Sequence, residues 1–248
     1  MRYFIELAYN GTRYNGWQRQ PDSPSVQQTI EEGLELLLRV PCPIMGCGRT
    51  DTGVHAAHYI AHFEYESELG IPENLTFKIN RVLPPDIVIR RIVPVHEKAH
   101  ARFGAVSRSY RYYIAKEKSP FKQDTCYDCF FFDKIDVAKM QEAADLLLQY
   151  KDFTTFCKTG SQEKTKVCVI THAQWQQTEQ GLEFYISANR FLRGMVRLIV
   201  GECLNIGLGK TTVAQMRNAL ETNTRLHKAL TVPARGLFLT DIKYPFDF

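Results

Sequence analysis

Apolar and polar positions alternate from Arg2 to Tyr9 and the alternation breaks at Asn10-Gly11, which predicts a strand running into a turn. The period then changes. Val26, Ile30, Leu34, Leu37 and Leu38 recur at helical spacing behind Ser25 and Gln28, a capping-box pair, so an amphipathic helix is expected to about Val40, where Pro41 and Pro43 stop it. Pro43 to Cys47 and Tyr59 to Glu66 read as strands flanking a glycine-rich loop, Glu73 to Val82 as a helix and Ile87 to Val95 as a strand. From Arg102 the order starts again. A strand is expected through Ser107 to Ala115, then a helix from Asp136 to Gln149 with Val137, Met140, Ala144 and Leu147 on one stripe, then strands at Lys166 to Gln176 and Leu182 to Ala188. An apolar helix from Phe191 to Asn205, a second from Thr212 to Glu221 and a closing strand from Gly236 to Tyr244 complete the chain.

Hairpin-like strand neighbours outnumber strand-helix-strand units in this order, so an α+β architecture fits better than a doubly wound parallel sheet: a mostly antiparallel sheet with helices on one face. Two similar halves joined near residue 100 are the simplest organisation, an N-terminal α/β half at 1–100 and a C-terminal α/β half at 101–248.

Composition narrows the function classes. No apolar run approaches the roughly 20 residues of a membrane-spanning helix, and the chain opens like a strand rather than a signal peptide, so no membrane partner and a cytoplasmic location are expected. Seven cysteines without regular spacing point to reduced thiols rather than a disulfide framework. A net charge of only +4 lacks the basicity of a protein that coats nucleic acid, but leaves room for a localised basic groove. Arg13, Arg19, Arg49, Arg102, Arg108, Arg111, Arg190, Arg193 and Arg197 are interleaved with Tyr14, Trp17, Tyr110, Tyr112 and Tyr113, a mixture suited to phosphate contact and base stacking.

The densest chemistry lies in Gly46-Cys47-Gly48-Arg49-Thr50-Asp51-Thr52-Gly53-Val54-His55-Ala56. Its glycines permit tight backbone curvature. Asp51, two residues after Arg49, is either a candidate nucleophile or the head of an ordinary Asx turn. In the helix expected from Phe191, Arg190, Arg193 and Arg197 share one face while Met195, Val196, Ile199 and Val200 supply the buried ones. An apolar helix with one basic stripe suits a cleft wall. In the strand at 107–115, Arg108, Tyr110 and Tyr112 point one way and Ser109, Arg111 and Tyr113 the other. His55, His58 and His62, with the lone pair Cys126 and Cys129, fall short of the four-ligand spacing of a structural zinc site, so no metal is expected.

Seven segments in order carry a resemblance. They are Asn10 to Gln20, Gly48 to Ala56, Leu83 to Ile87, Ala101-Arg102-Phe103 followed by Ser109-Tyr110-Arg111-Tyr112, Asp152 to Phe156, Met195-Val196-Arg197 with Ile199-Val200-Gly201, and Pro233 to Leu237. Together they resemble the tRNA pseudouridine synthase A family nearly end to end. The resemblance implies an isomerase that converts uridine to pseudouridine at positions 38, 39 and 40 of tRNA. It also implies two α/β halves sharing a continuous mixed sheet, a cleft between them, and a homodimer whose subunits together hold one tRNA.

Such a reaction breaks the N-glycosidic bond, turns the detached uracil and joins its C5 to C1′ of the ribose, with no redox change. It needs a nucleophile, a hold on the free base and a base for the C5 proton, and no cofactor is expected. The resemblance assigns Asp51 as nucleophile, attacking uracil C6 or acting at C1′, with Arg197 as its partner. Tyr110 lays its ring on a flipped uracil or takes the C5 proton. By the same resemblance Arg49 fills the gap left by the base or holds a phosphate, Leu237 lies beneath uracil, and His55 orients the aspartate loop. Thr52 departs from the family's alanine, and Arg193-Gly194 from its aromatic or small residues, so Thr52, Arg190 and Arg193 inherit no role. A non-catalytic RNA-binding protein is the alternative; a glycoside hydrolase would need a second carboxylate near Asp51.

Overall fold

The computed structural model describes residues 1–158, 160, 165–226 and 228–248. Strands β1 (Arg2–Tyr9), β2 (Met45–Gly46), β3 (His55–Glu64) and β4 (Ile87–Val95) alternate with helices α1 (Val26–Leu38) and α2 (Leu75–Val82). Then follow β5 (Ser107–Ala115), β6 (Tyr127–Asp128), α3 (Val137–Leu147), β7 (Ile170–Thr178), β8 (Gly181–Ala188), α4 (Met195–Gly207), α5 (Val213–Thr222) and β9 (Leu237–Lys243). The class is α+β, as the strand and helix order predicts. Among the described residues no helix is long and apolar enough to cross a membrane.

Contacts divide the chain into two compact units, Met1–Ser107 with Phe238–Phe248, and Arg108–Leu237. In the first unit the strand order is β4-β1-β3-β9. β1 pairs antiparallel with both β3 and β4, and β9 joins β3 in parallel through His55 opposite Phe238. That pairing starts β3 at His55, four residues before the alternation of the sequence suggests. β2 is a two-residue strand on β3, because Pro43 in the run before it has no N–H to give a ladder. The core of this unit is Phe4, Ile5 and Leu7 from β1, Ile30 and Leu34 from α1, and Tyr59, Ile60 and Phe63 from β3, all fully buried.

Helix α1 starts where its cap predicts: Ser25 accepts the N–H of Gln28 at 3.2 Å. Only half the capping box forms, since the Gln28 amide donates forward to Glu32 instead. Its end is set by Arg39, in the left-handed region at φ 63°, before Pro41 is reached.

In the second unit the β7-β8 hairpin pairs antiparallel with β5 through β8, in the order β5-β8-β7, with Tyr110 opposite Ile186 and Tyr112 opposite Phe184. The apolar faces of α3 and α4 bury Met140, Ala144, Leu147, Ile199, Val200 and Cys203. Helix α4 corrects the reading of the basic stripe. It begins at Met195 rather than Phe191, because Gly194 caps it with φ 70°, a conformation that ends any helical run from the N-terminal side. Arg190 and Arg193 therefore lie in the turn before the helix, and Arg197 is its sole arginine. Every other residue of α4 is buried.

Candidate active site

The loop that carries Asp51 is built over an aromatic floor. The Trp17 and Tyr59 rings stack with centroids 4.1 Å apart, and Tyr9 stands edge-on to Tyr59 at 5.6 Å. The residues of this cluster hold the loop at alternate positions, through two side-chain hydroxyls and one backbone N–H. The Tyr59 hydroxyl donates to the carbonyl of Gly48. At Thr50 the side-chain hydroxyl is 2.8 Å from the Tyr9 hydroxyl, and the carbonyl accepts the backbone N–H of Trp17 at 3.3 Å. Residues 48 and 50 are thus tied inward, Arg49 is exposed and Asp51 half-buried.

The loop is closed from the other side by the turn after β1. Gly53 donates to the Tyr14 carbonyl at 3.3 Å, and Val54 to the Asp51 carbonyl at 3.1 Å. Two glycines allow this approach. A Cβ on Gly16, at φ +84°, would lie 2.2 Å from the Thr50 carbonyl oxygen, and one on Gly11 would lie 2.0 Å from that of Val54. His55 is fully buried, stacks on Phe238 at 4.4 Å and accepts the Gly11 N–H at Nδ1, 3.0 Å away. It joins β3, β9 and the turn at residues 11–13 beside the aspartate loop.

This turn is itself pinned by Asp86. The carboxylate accepts from the Arg13 Nε and the Tyr14 hydroxyl, both at 2.7 Å, and the Asn10 N–H reaches the Asp86 carbonyl. Burial, together with the Asp86 charge, raises the Tyr14 pKa far above its ordinary value, so the hydroxyl remains a donor.

In the second unit Tyr110 is half-buried on β5, with the edge of its ring against Phe191 at 5.2 Å and 89°. Tyr112, two residues along and on the same face, is fully buried, and its hydroxyl donates to the Pro233 carbonyl at 2.8 Å. Burial raises the Tyr112 pKa far above the ordinary phenol value, with the Arg197 charge opposing. Arg197 grips the same segment twice: its Nε donates to the Val232 carbonyl at 2.7 Å, and its own carbonyl accepts the Val232 N–H at 3.4 Å. Gly236 lies against the Tyr112 ring, where a Cβ would come within 2.7 Å of Cζ, and Leu237 follows it, buried.

Of the residues singled out by sequence, then, Tyr110, Arg197 and Leu237 belong to the second unit and Arg49 and Asp51 to the first. Within the second unit, Tyr112 and Arg197 both bond the backbone of the 232–233 segment, while Tyr110 lies two residues before Tyr112 on β5. Several candidate arginines are already engaged: Arg13 by Asp86, Arg19 by Glu31 and Arg111 by Glu183. Sequence reasoning gave no role to Tyr9 and Tyr59 and offered Tyr14, Trp17 and Tyr112 as stacking surfaces for a groove, but all three are buried and Trp17 belongs with Tyr9 and Tyr59 to the floor of the aspartate loop. The signal was present in the aromatic-rich segment Tyr9 to Trp17, but its contacts with residues 48–54 span more than 30 positions of chain.

An α+β chain that presents one carboxylate on a loop clamped over aromatics has relatives. A family model described as tRNA pseudouridine synthase matches residues 143–245. The chain is 47% identical to a tRNA pseudouridine synthase A of Parabacteroides distasonis over 98% of its length and 96% of the relative's. It is 45% identical to one of Porphyromonas gingivalis over 99% and 98%, and 36% identical to one of Bacillus subtilis over 98% and 99%. The chain belongs to the tRNA pseudouridine synthase A family.

Proposed function

We propose that the protein is an isomerase that converts uridine to pseudouridine in tRNA, at positions 38, 39 and 40 of the anticodon stem and loop. The observation that carries this reading is the loop at 48–54, in which the Gly48 carbonyl and the Thr50 hydroxyl are tied inward and Asp51 is a half-exposed carboxylate, in a family of this chemistry.

Asp51 serves as the nucleophile, at uracil C6 or at ribose C1′, and Arg197 as the partner that holds its charge. Tyr110 offers a ring for the flipped base and a hydroxyl for the C5 proton. Extruding the nucleotide costs a few kcal/mol, and stacking on an aromatic returns about 1 to 3 kcal/mol. Arg49, exposed in the same loop, enters the gap left by the base or holds a phosphate, and Leu237 floors the uracil. The transformation balances without an electron acceptor or metal: one C–N bond breaks, one C–C bond forms, and the C5 proton moves to nitrogen through the enzyme. The working unit is a homodimer that takes one tRNA, and its compartment is the cytoplasm.

The test is incubation of the protein with an unmodified tRNA transcript, followed by mass-spectrometric mapping of pseudouridine. Product confined to positions 38–40 is expected. Product elsewhere in the tRNA would overturn the positional assignment. Absence of product with tRNA binding intact would favour a non-catalytic RNA-binding protein.

A further inference from the structure

The hydroxyls of Tyr9 and Thr50 face one another at 2.8 Å in the core of the first unit, with the two residues only 4% and 9% exposed. Two hydroxyls buried together are a costly way to fill this space. A Phe and Val pair of nearly the same shape would remove the desolvation cost, and replacing both partners of a buried hydrogen bond by apolar groups is often neutral for stability. What an apolar pair lacks is direction. A threonine side chain is stiff at χ1, so a hydrogen bond to its hydroxyl fixes the orientation of its backbone, and Thr50 is the residue before Asp51. The backbone N–H of Trp17 holds the Thr50 carbonyl, the group joined to the Asp51 nitrogen. The peptide linking residues 50 and 51 is thereby oriented from both the side chain and the carbonyl of Thr50.

We propose that Tyr9, acting through Thr50, is a positioning residue for the Asp51 carboxylate; this rests on the isomerase reading above. The pair sets the direction in which Asp51 leaves the loop and so acts on the chemical step, leaving tRNA affinity to other residues. Misplacement of a reacting group by about 1 Å costs on the order of a hundredfold in rate, so a partial loss of this orientation lowers kcat by about tenfold or more.

The experiment compares wild type, Tyr9→Phe, Thr50→Val, the double variant Tyr9→Phe/Thr50→Val and Thr50→Ser. Single-turnover kcat, tRNA Kd and Tm are measured for each. The expected result is a double variant with wild-type Tm and Kd whose kcat is about tenfold or more lower, no worse than the poorer single variant. Thr50→Ser, which keeps the hydroxyl, recovers most of the rate. A double variant with wild-type kcat would overturn the proposal while the isomerase reading stands. A loss of kcat that only follows a loss of Tm would assign the pair to the fold and also overturn it. A wild-type enzyme that forms no pseudouridine would overturn both readings, since there is then no carboxylate chemistry to position.

Discussion

The Gly11 N–H donates to Nδ1 of His55 at 3.0 Å, and this single bond joins the turn after β1 to the first residue of β3. The imidazole is fully buried, so the acceptor it presents to Gly11 has no access to bulk water. The same glycine lies so near Val54 that no side chain fits on that side.

Gly11→Ala is therefore expected to destabilise the first unit by about 1 to 3 kcal/mol, the cost of forcing a methyl into a filled space. Urea unfolding measures it. Unchanged stability would mean that the turn and the aspartate loop separate readily.

Stability is expected to fall in acid through His62. Burial, aided by the charges of His100 and Arg2 and opposed by Glu64, lowers its pKa from the ordinary 6.5 to about 4. Between those values the unfolded chain binds a proton that the folded chain does not, so stability is fully present above about pH 6.5 and is lost as pH falls toward 4. Protonation would also remove Nδ1 as acceptor for the Ala101 N–H. His100, lowered for the same main reason, adds to the slope. In His62→Gln the slope of unfolding free energy between pH 6.5 and 4 is shallower; an unchanged slope would place the acid sensitivity elsewhere.

Tyr110→Phe separates the two tasks assigned to that residue. The ring and its contact with Phe191 remain, so stacking and tRNA affinity persist. Loss of turnover by a factor of about a hundred or more is expected if the hydroxyl takes the C5 proton, within the usual range for a general base. Retained activity would leave stacking as its sole part.

Arg197→Lys is expected to lower kcat by more than tenfold although the charge is kept. Lysine lacks the Nε that holds the Val232 carbonyl and the planar fork that meets a carboxylate bidentately. Steady-state kinetics on a tRNA transcript decides this, and full activity would remove Arg197 from its proposed partnership with Asp51.

Much of the fold was legible because local pattern and local structure agree. Both ends of β4 and β5 fall where the sequence places them, in runs rich in β-branched and aromatic residues. The start of α4 was not legible in the same way. Phe191 and Leu192 continue the apolar pattern into the helix, yet Leu192 is buried in a turn and Gly194 sets the boundary. Asp51 stood out because glycines and charges flank it locally. Its support did not, because Tyr9, Trp17 and Tyr59 meet residues 48–50 through contacts that no periodicity encodes.

The most direct test of the account is release of tritium from C5-labelled uridine in an unmodified tRNA transcript by wild type and by Asp51→Asn. Forming the C5–C1′ bond expels the C5 hydrogen, so release reports the isomerisation itself. Release by wild type and none above background by Asp51→Asn is expected, with tRNA affinity nearly unchanged. Release by the variant at the wild-type rate would contradict the assignment of Asp51 as nucleophile.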